Sequence, residues 1–418
     1  MRTSQPSEFS ILKSAGRYER RTGRFAVARV ASLLLRAGFM FRPEIMKWLA
    51  VCALASLFSL QPGAAASSDI AGAIQTLRAV GPEGRGNAAA SAAWKQLAAN
   101  GLDQLTTILA GMDGADDLAA NWLRAAADTV VARETAAGKK LPVDDLLGFI
   151  RDTNHNPRAR RMAFELVVGV QPATAEKLLS GMLDDPSLEL RCDAVDRVIA
   201  AAHALEAGNK PDAITRYKLA LQSARDVDQI QDVARKLREL GEVVDLPKLF
   251  GFLTQWKIIG PFENTDGKGF AAVFPPEQKI DLAGEYDGKA GKVRWSDYVT
   301  KDEFGMVDIN TVYTPLKSVT AYAYTEFMSD KAQPAELRLG CKNAWRVWLN
   351  GKLLWQRDEY HRGMQIDQYR LAGQLQPGRN TILVKACQNE LTEKWTVEWQ
   401  FQLRVCDHLG KAIPPAAK

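Results

Sequence analysis

The 418-residue chain predicts two parts of different class, an α-helical repeat over residues 67–250 followed by an antiparallel β-sandwich over residues 251–418. Three observations carry this. Apolar residues recur at three- and four-residue steps through the first part, as in Leu146, Leu147, Phe149 and Ile150. One helical pair there is echoed by the next. After Trp256 the apolar period becomes two, and dipeptides such as Asp287-Gly288, Asn350-Gly351 and Pro377-Gly378 punctuate the chain.

Upstream of both parts, residues 46–66 read MKWLAVCALASLFSLQPGAAA. Lys47, a short apolar run and Ala64-Ala65-Ala66 before Ser67 have the anatomy of a secretory signal peptide beginning at Met46. The run is shorter than the roughly 20 residues a spanning helix needs, so no membrane span is expected in the mature chain. Cys52 follows Val51 where a lipoprotein site calls for a small residue. Residues 1–45 read as a disordered Arg-rich extension, upstream of the true start at Met46 or a real cytoplasmic segment. The expected location is periplasmic or secreted.

Of the 54 Lys+Arg and 49 Asp+Glu, ten and three fall in residues 1–66, which leaves 44 against 46. A mature chain balanced in this way lacks the basic excess that a nucleic-acid partner needs. Cys192, Cys341, Cys387 and Cys406 are scattered without a C-x-x-C pair, which argues against zinc. Export would permit at most one disulfide among the last three.

In the first part, LLGFIRDTNHNPRARRMAFELVVGV (146–170) is echoed by LLSGMLDDPSLELRCDAVDRVIAAA (178–202). Each is a helix, a turn with Asp and Pro, and a second helix with Arg and a small residue turned inward. Asp185, Pro186, Arg191 and Ala194 fill a D-P-x4-R-x-x-A pattern, and in this the unit resembles HEAT repeats. The segment from Ala213 to Leu221, with Tyr217 and Ala220, is more similar to a tetratricopeptide helix. The resemblance implies stacked pairs, since one pair cannot bury its apolar face alone, and a surface that docks a protein partner.

In the second part, Trp395, Val397, Trp399, Phe401, Leu403 and Val405 share one side of an expected half-buried strand, with Thr396, Glu398, Gln400, Gln402 and Arg404 on the other. Strands are also expected from Trp256 to Phe262, from Thr320 to Phe327 and from Ala335 to Gly340. Seven of the ten tryptophans lie in residues 256–399. Three of them surround Asn350-Gly351 in WRVWLNGKLLWQ (345–356), the pattern of a two-residue type I′ hairpin. Such a loop places Trp348 opposite Leu353, Val347 opposite Leu354 and Arg346 opposite Trp355. Trp345, Val347, Leu349 and Leu354 then face the core. Arg346 and Trp355 form a cation–π pair on the other side.

The run LRLGCKNAWRVWLNGKLLW, followed by Leu375, Gly378, Asn380 and Val384, resembles the sugar-binding jelly-roll (galactose-binding-like) domain of β-galactosidase- and β-glucuronidase-like hydrolases. The matched residues are architectural: Gly351 and Gly378 for turns, Asn380 for a cap. The resemblance implies a jelly-roll fold and carbohydrate as ligand; no hydrolase barrel accompanies it.

Sugars need ring faces to stack on CH groups and polar forks for hydroxyls. Arg346, Trp355, Asp358, Tyr360, His361, Arg362, Asn389 and Glu390 supply such a mixture and are the candidate ligand-binding residues. Asn264 and Asp266, in a glycine-containing turn, are candidates for a structural calcium ion. No G-x-S-x-G, H-E-x-x-H or phosphate loop occurs, and no catalytic residue or other cofactor is predicted. The reading is an exported, non-catalytic binding protein. A protein–protein assembly module and a glycan hydrolase are the alternatives.

Overall fold

The computed structural model describes residues 69–416. The expected signal segment 46–66 with Cys52, and residues 1–45, lie outside the described residues. Helices come first: α1 (Ile70–Arg78), α2 (Asn87–Ala98), α3 (Leu105–Ala110), α4 (Asp117–Ala136), α5 (Val143–Arg151), α6 (Pro157–Val170), α7 (Pro172–Leu179), α8 (Leu188–Leu205), α9 (Lys210–Ser223), α10 (Val227–Glu239) and α11 (Leu246–Phe250). Their starts follow from local chemistry. Asp116, Asn156, Ser187 and Asp226 each accept an otherwise orphaned backbone N–H at the start of α4, α6, α8 and α10.

The echoed sequence segments are the pairs α5–α6 and α7–α8. Arg160 in α6 and Arg191 in α8 take matching places, three residues before the buried Ala163 and Ala194. Each Nε donates 2.8 Å to a backbone carbonyl, of Ile150 for Arg160 and of Asp185 for Arg191. Leu146, Ile150, Ala163, Val167, Leu190 and Ala194 belong to one apolar cluster that runs back to α1. Tyr217, Val233, Leu237, Phe250 and Phe252 build a second, onto which Phe304 and Ile366 pack from beyond the helices.

Antiparallel sheets follow. β1 (Gln255–Glu263), β2 (Glu285–Gly288), β3 (Gly291–Arg294), β4 (Ser296–Val299), β5 (Val307–Asp308), β6 (Val319–Ser329), β7 (Gln333–Cys341), β8 (Ala344–Leu349), β9 (Lys352–Arg357), β10 (Tyr369–Leu375), β11 (Gly378–Gln388) and β12 (Gln400–Cys406) form a six-stranded sheet β4-β1-β6-β11-β8-β9, a four-stranded sheet β10-β7-β12-β5 and the hairpin β2-β3. Trp345 and Val384 from the larger sheet and Leu339 and Phe401 from the smaller share one apolar core. Burying such residues contributes about 1.5–3 kcal/mol each.

The Asn350-Gly351 turn forms with both φ positive, 51° and 78°. Fully buried Asn380 ties the neighbouring turns together: its Nδ2 donates to Gln376 O at 2.8 Å, and its Oδ1 accepts from Asn350 Nδ2 at 2.9 Å.

Three expectations need correction. The register of β8 and β9 shifts between Val347 and Trp348: Trp348 faces Leu353, but Val347 then faces Trp355 and Arg346 faces Gln356. The shift absorbs Leu354, as a β-bulge does, and separates Arg346 from Trp355. Second, β12 begins at Gln400, and residues 394–396 form a separate tight turn. Third, β12 is buried on both sides. Arg404 is 1% exposed, held by Asp367 at 2.6 Å and by Phe250 O at 3.0 Å. The charged face finds partners in α11 and in the loop before β10, so it need not face water.

The outer side of the larger sheet is likewise covered. Lys385 is fully buried, its ammonium donating to Phe270 O (3.1 Å), Ala272 O (2.6 Å) and the Glu277 carboxylate (2.8 Å). These bonds clamp residues 270–277 over the sheet. Cys341, Cys387 and Cys406 are buried and no disulfide forms; burial pushes the Cys387 and Cys406 thiols up to about 11.

Candidate functional site

Registry places the end of β11 beside the start of β6 and the start of β8, and the end of β1 beside the same start of β6. The loops 264–274, 358–368 and 389–399 therefore emerge at one end of the sheets. Their backbone is fixed by a buried amide network. Asn343 Nδ2 donates to Gln388 Oε1 at 3.1 Å, Gln388 Nε2 donates to Thr396 O at 2.9 Å, and Asn264 Nδ2 donates to Gln388 O at 3.0 Å. Asn343, Gln388 and Asn264 are at most 1% exposed. Burial without these partners would cost about 1–3 kcal/mol per group.

On this base sit three rings. Tyr360 packs against Phe270, Ala344 and Cys387, and its hydroxyl accepts from Asn264 Nδ2 at 3.2 Å. Burial raises the Tyr360 phenol well above its usual range; the nearby charges of Asp358 and Glu390 push the same way, while the bond from Asn264 opposes. His361 has φ of 57°, a left-handed conformation held in part by its N–H donating to Lys342 O at 2.6 Å. Its Nε2 lies 2.7 Å from Asn389 Oδ1. Trp395 stands edge-on to His361, centroids 5.3 Å apart and planes at 87°, and is 62% exposed. Asn389 is 9% exposed, and its Nδ2 has no protein acceptor among the described residues.

Of the sequence-derived candidates, Asp358, Tyr360, His361, Asn389 and Glu390 come together here. Arg362 lies beside them in the same loop, paired with Glu359 at 2.9 Å. Arg346 does not join. Its guanidinium stacks on Phe270 at 4.8 Å and lies 3.8 Å from Glu277, within the clamp of the outer sheet side. Trp355 is 58% exposed on the edge strand β9, away from Arg346.

Of the two calcium candidates, Asn264 turns its amide nitrogen to Tyr360 and Gln388 and leaves its oxygen buried without a hydrogen-bond partner among the described residues, while Asp266 pairs with Lys268 at 3.0 Å in solvent. Among the described residues no group of three or more His, Cys, Asp or Glu could hold a metal ion. Sequence reasoning missed Trp395 as a site residue because its spacing matched the strand that follows. Its position beside the polar run Gln388-Asn389-Glu390 was the available signal.

The arrangement offers a flat apolar face, the Asn389 amide donor and, at one rim, two carboxylates, Asp358 and Glu390, that form no ion pair among the described residues. It suits a ligand with an apolar face and a hydroxylated edge.

No protein-family profile and no curated protein matches the chain. Among solved structures, part of the chain is similar to a β-glucosidase from Kluyveromyces marxianus in complex with glucose, at 14% identity over 28% of this chain and 14% of that one, with a TM-score of 0.21. A family 35 carbohydrate binding module from Clostridium thermocellum is similar at 13% identity over 31% of this chain and 85% of that one, with a TM-score of 0.18. The alpha-xylosidase of Xanthomonas citri is similar at 12% identity over 37% of this chain and 16% of that one, with a TM-score of 0.19.

Proposed function

We propose that this is an exported, non-catalytic binding protein. Its two sheets form a β-sandwich of the jelly-roll kind that binds carbohydrate at the Trp395 end, and its helical pairs stack as HEAT-like repeats that dock a protein partner. The observation that carries the carbohydrate reading is Trp395, whose indole is 62% exposed and is held edge-on to His361, beside Asn389, whose side-chain nitrogen has no protein acceptor among the described residues. A sugar ring presents CH groups to such a face and hydroxyls to Asn389, Asp358 and Glu390.

A glycan array on the purified chain from Ser67 onward tests the reading. A bound glycan should lose about tenfold in affinity, or about 1.4 kcal/mol, in Trp395→Ala by calorimetry. Full affinity in that variant moves the site elsewhere. An array without a bound glycan leaves the assembly-module alternative, and shortened glycan products after incubation establish the hydrolase. Export is tested by N-terminal sequencing of the secreted protein, which should begin at Ser67; retention of Met1 there sinks it.

A further inference from the structure

The two matching arginines of the helical pairs are not equally served. Arg160 sets both terminal nitrogens on the Asp185 carboxylate at 2.7 Å, with side chains 1% and 5% exposed. Arg191, 4% exposed, repeats only the Nε bond at 2.8 Å to Asp185 O. Its terminal nitrogens have no acceptor, and no carboxylate lies within 4 Å of its guanidinium, among the described residues.

The missing partner can be located by comparing the turns. Asp185 stands two residues before Ser187, the cap of α8. The same place before Asp226, the cap of α10, is Ala224, which has no acid to offer. The next residue is another cation. Arg225 donates through Nη1 to Gln222 O (2.9 Å) and Ala224 O (2.6 Å), while its Nε is buried without a partner. Burial lowers the pKa of both guanidinium groups, and for Arg225 the charge of Arg191 adds to the effect. Asp184 and Asp407 oppose it from beyond ion-pair distance, and Arg404 is already taken by Asp367. Two desolvated like charges side by side are costly unless an anion compensates them.

We propose that Arg191, in the first turn of α8, and Arg225, in the turn between α9 and α10, together bind a compact oxyanion of the carboxylate or phosphate class. The anion takes for Arg191 the place that Asp185 takes for Arg160. The planar fork of a guanidinium matches two oxygens of such a group at once. The site is independent of the Trp395 end.

Thermal melts of the chain from Ser67 onward test this, in inorganic phosphate, sulfate or acetate, each against chloride at matched ionic strength. The Tm should rise with the logarithm of oxyanion concentration. A rise in acetate alone makes the bound group a carboxylate; a rise in phosphate and sulfate makes it tetrahedral. Arg225→Gln, which leaves buried Arg191 in place, should lose most of the rise. Ala224→Asp supplies the absent carboxylate from the chain itself, so it should raise the Tm in chloride and abolish the response to the oxyanion. The proposal is overturned if no oxyanion moves the Tm beyond chloride, or if Arg225→Gln keeps the full response. Should Arg225→Gln not fold, an undiminished response in Ala224→Asp overturns it instead.

Discussion

Trp399 and Trp395 lie in the same short stretch of chain and have opposite fates. Trp399 has no exposed surface and its indole N–H donates to Ala386 O at 3.2 Å, whereas Trp395 is 62% exposed. The difference lies in the backbone. Residues 394–396 form a tight turn whose Thr396 hydroxyl donates to Leu391 O and Glu393 O, both at 2.8 Å, and the strand starts only at Gln400. The interior between the sheets and the loop end thus use one residue type for two purposes, packing and presentation. Substitutions can separate them.

The largest effect is expected in the interior. Trp345 has no exposed surface and packs on Tyr369 with centroids 4.9 Å apart. Trp345→Ala should cost about 3–5 kcal/mol, read from denaturant midpoints. A loss below about 1 kcal/mol would mean that the interior is loosely packed and that the contrast with the loop end fails.

A somewhat smaller effect belongs to the covered outer side of the smaller sheet. Asp367 holds Arg404 and Arg338, with Oδ2 2.8 Å from Arg338 Nη1. Burial works to raise its carboxyl, but the bonds and charges of Arg404 and Arg338 outweigh it and hold it below the usual carboxylate range. A carboxyl lowered by folding stabilises the native state above its unfolded value of about 4, and that contribution is lost as pH falls through the folded value. Asp367→Asn should therefore cost about 3 kcal/mol at neutral pH, because it removes the ion pair of buried Arg404 and one of the two of Arg338, whose Nε stays on Glu336 at 2.8 Å. The gap between variant and wild type should narrow below pH of about 4. A gap that stays constant in acid would show that the charge of Asp367 is not what holds the arginines.

What the sequence made legible follows the same division. Helical periodicity located α5, α6 and α8, because amphipathic spacing and capping residues are local properties. Alternation located β6 and β7 and put Trp345 in the interior. It failed where backbone geometry intervened. The bulge that absorbs Leu354 has no signature in residue type, and Trp395 continues an alternation that the chain interrupts at its turn. The polar side of β12 looked solvated because nothing local shows that Asp367 and Phe250 O will meet Arg404. The rim residues Asp358 to Arg362 and Asn389-Glu390 were visible as polar loops. Their meeting with Asn264 and Trp395 depends on strand order and could not be read from one loop at a time.

The smallest effect on stability, and the sharpest on binding, should separate the two exposed indoles. Trp355 is 58% exposed and Trp395 62%, so replacing either with Ala should change stability by no more than about 0.5 kcal/mol. Their surroundings differ. Trp395 has His361 edge-on at 5.3 Å, and His361 is in turn held by Asn389 at 2.7 Å, so the indole is presented in one orientation with a polar partner at hand. Trp355 lies on an edge strand, where an exposed ring can shield unpaired backbone from other chains. Trp395→Ala should therefore abolish most of the affinity for any glycan the array identifies, whereas Trp355→Ala should leave it unchanged. Calorimetry of the two variants side by side decides the matter. Equal losses would make both rings one extended platform around the end of the sheets. A loss confined to Trp355→Ala would move the site to the β9 edge and leave Trp395 without a part in binding.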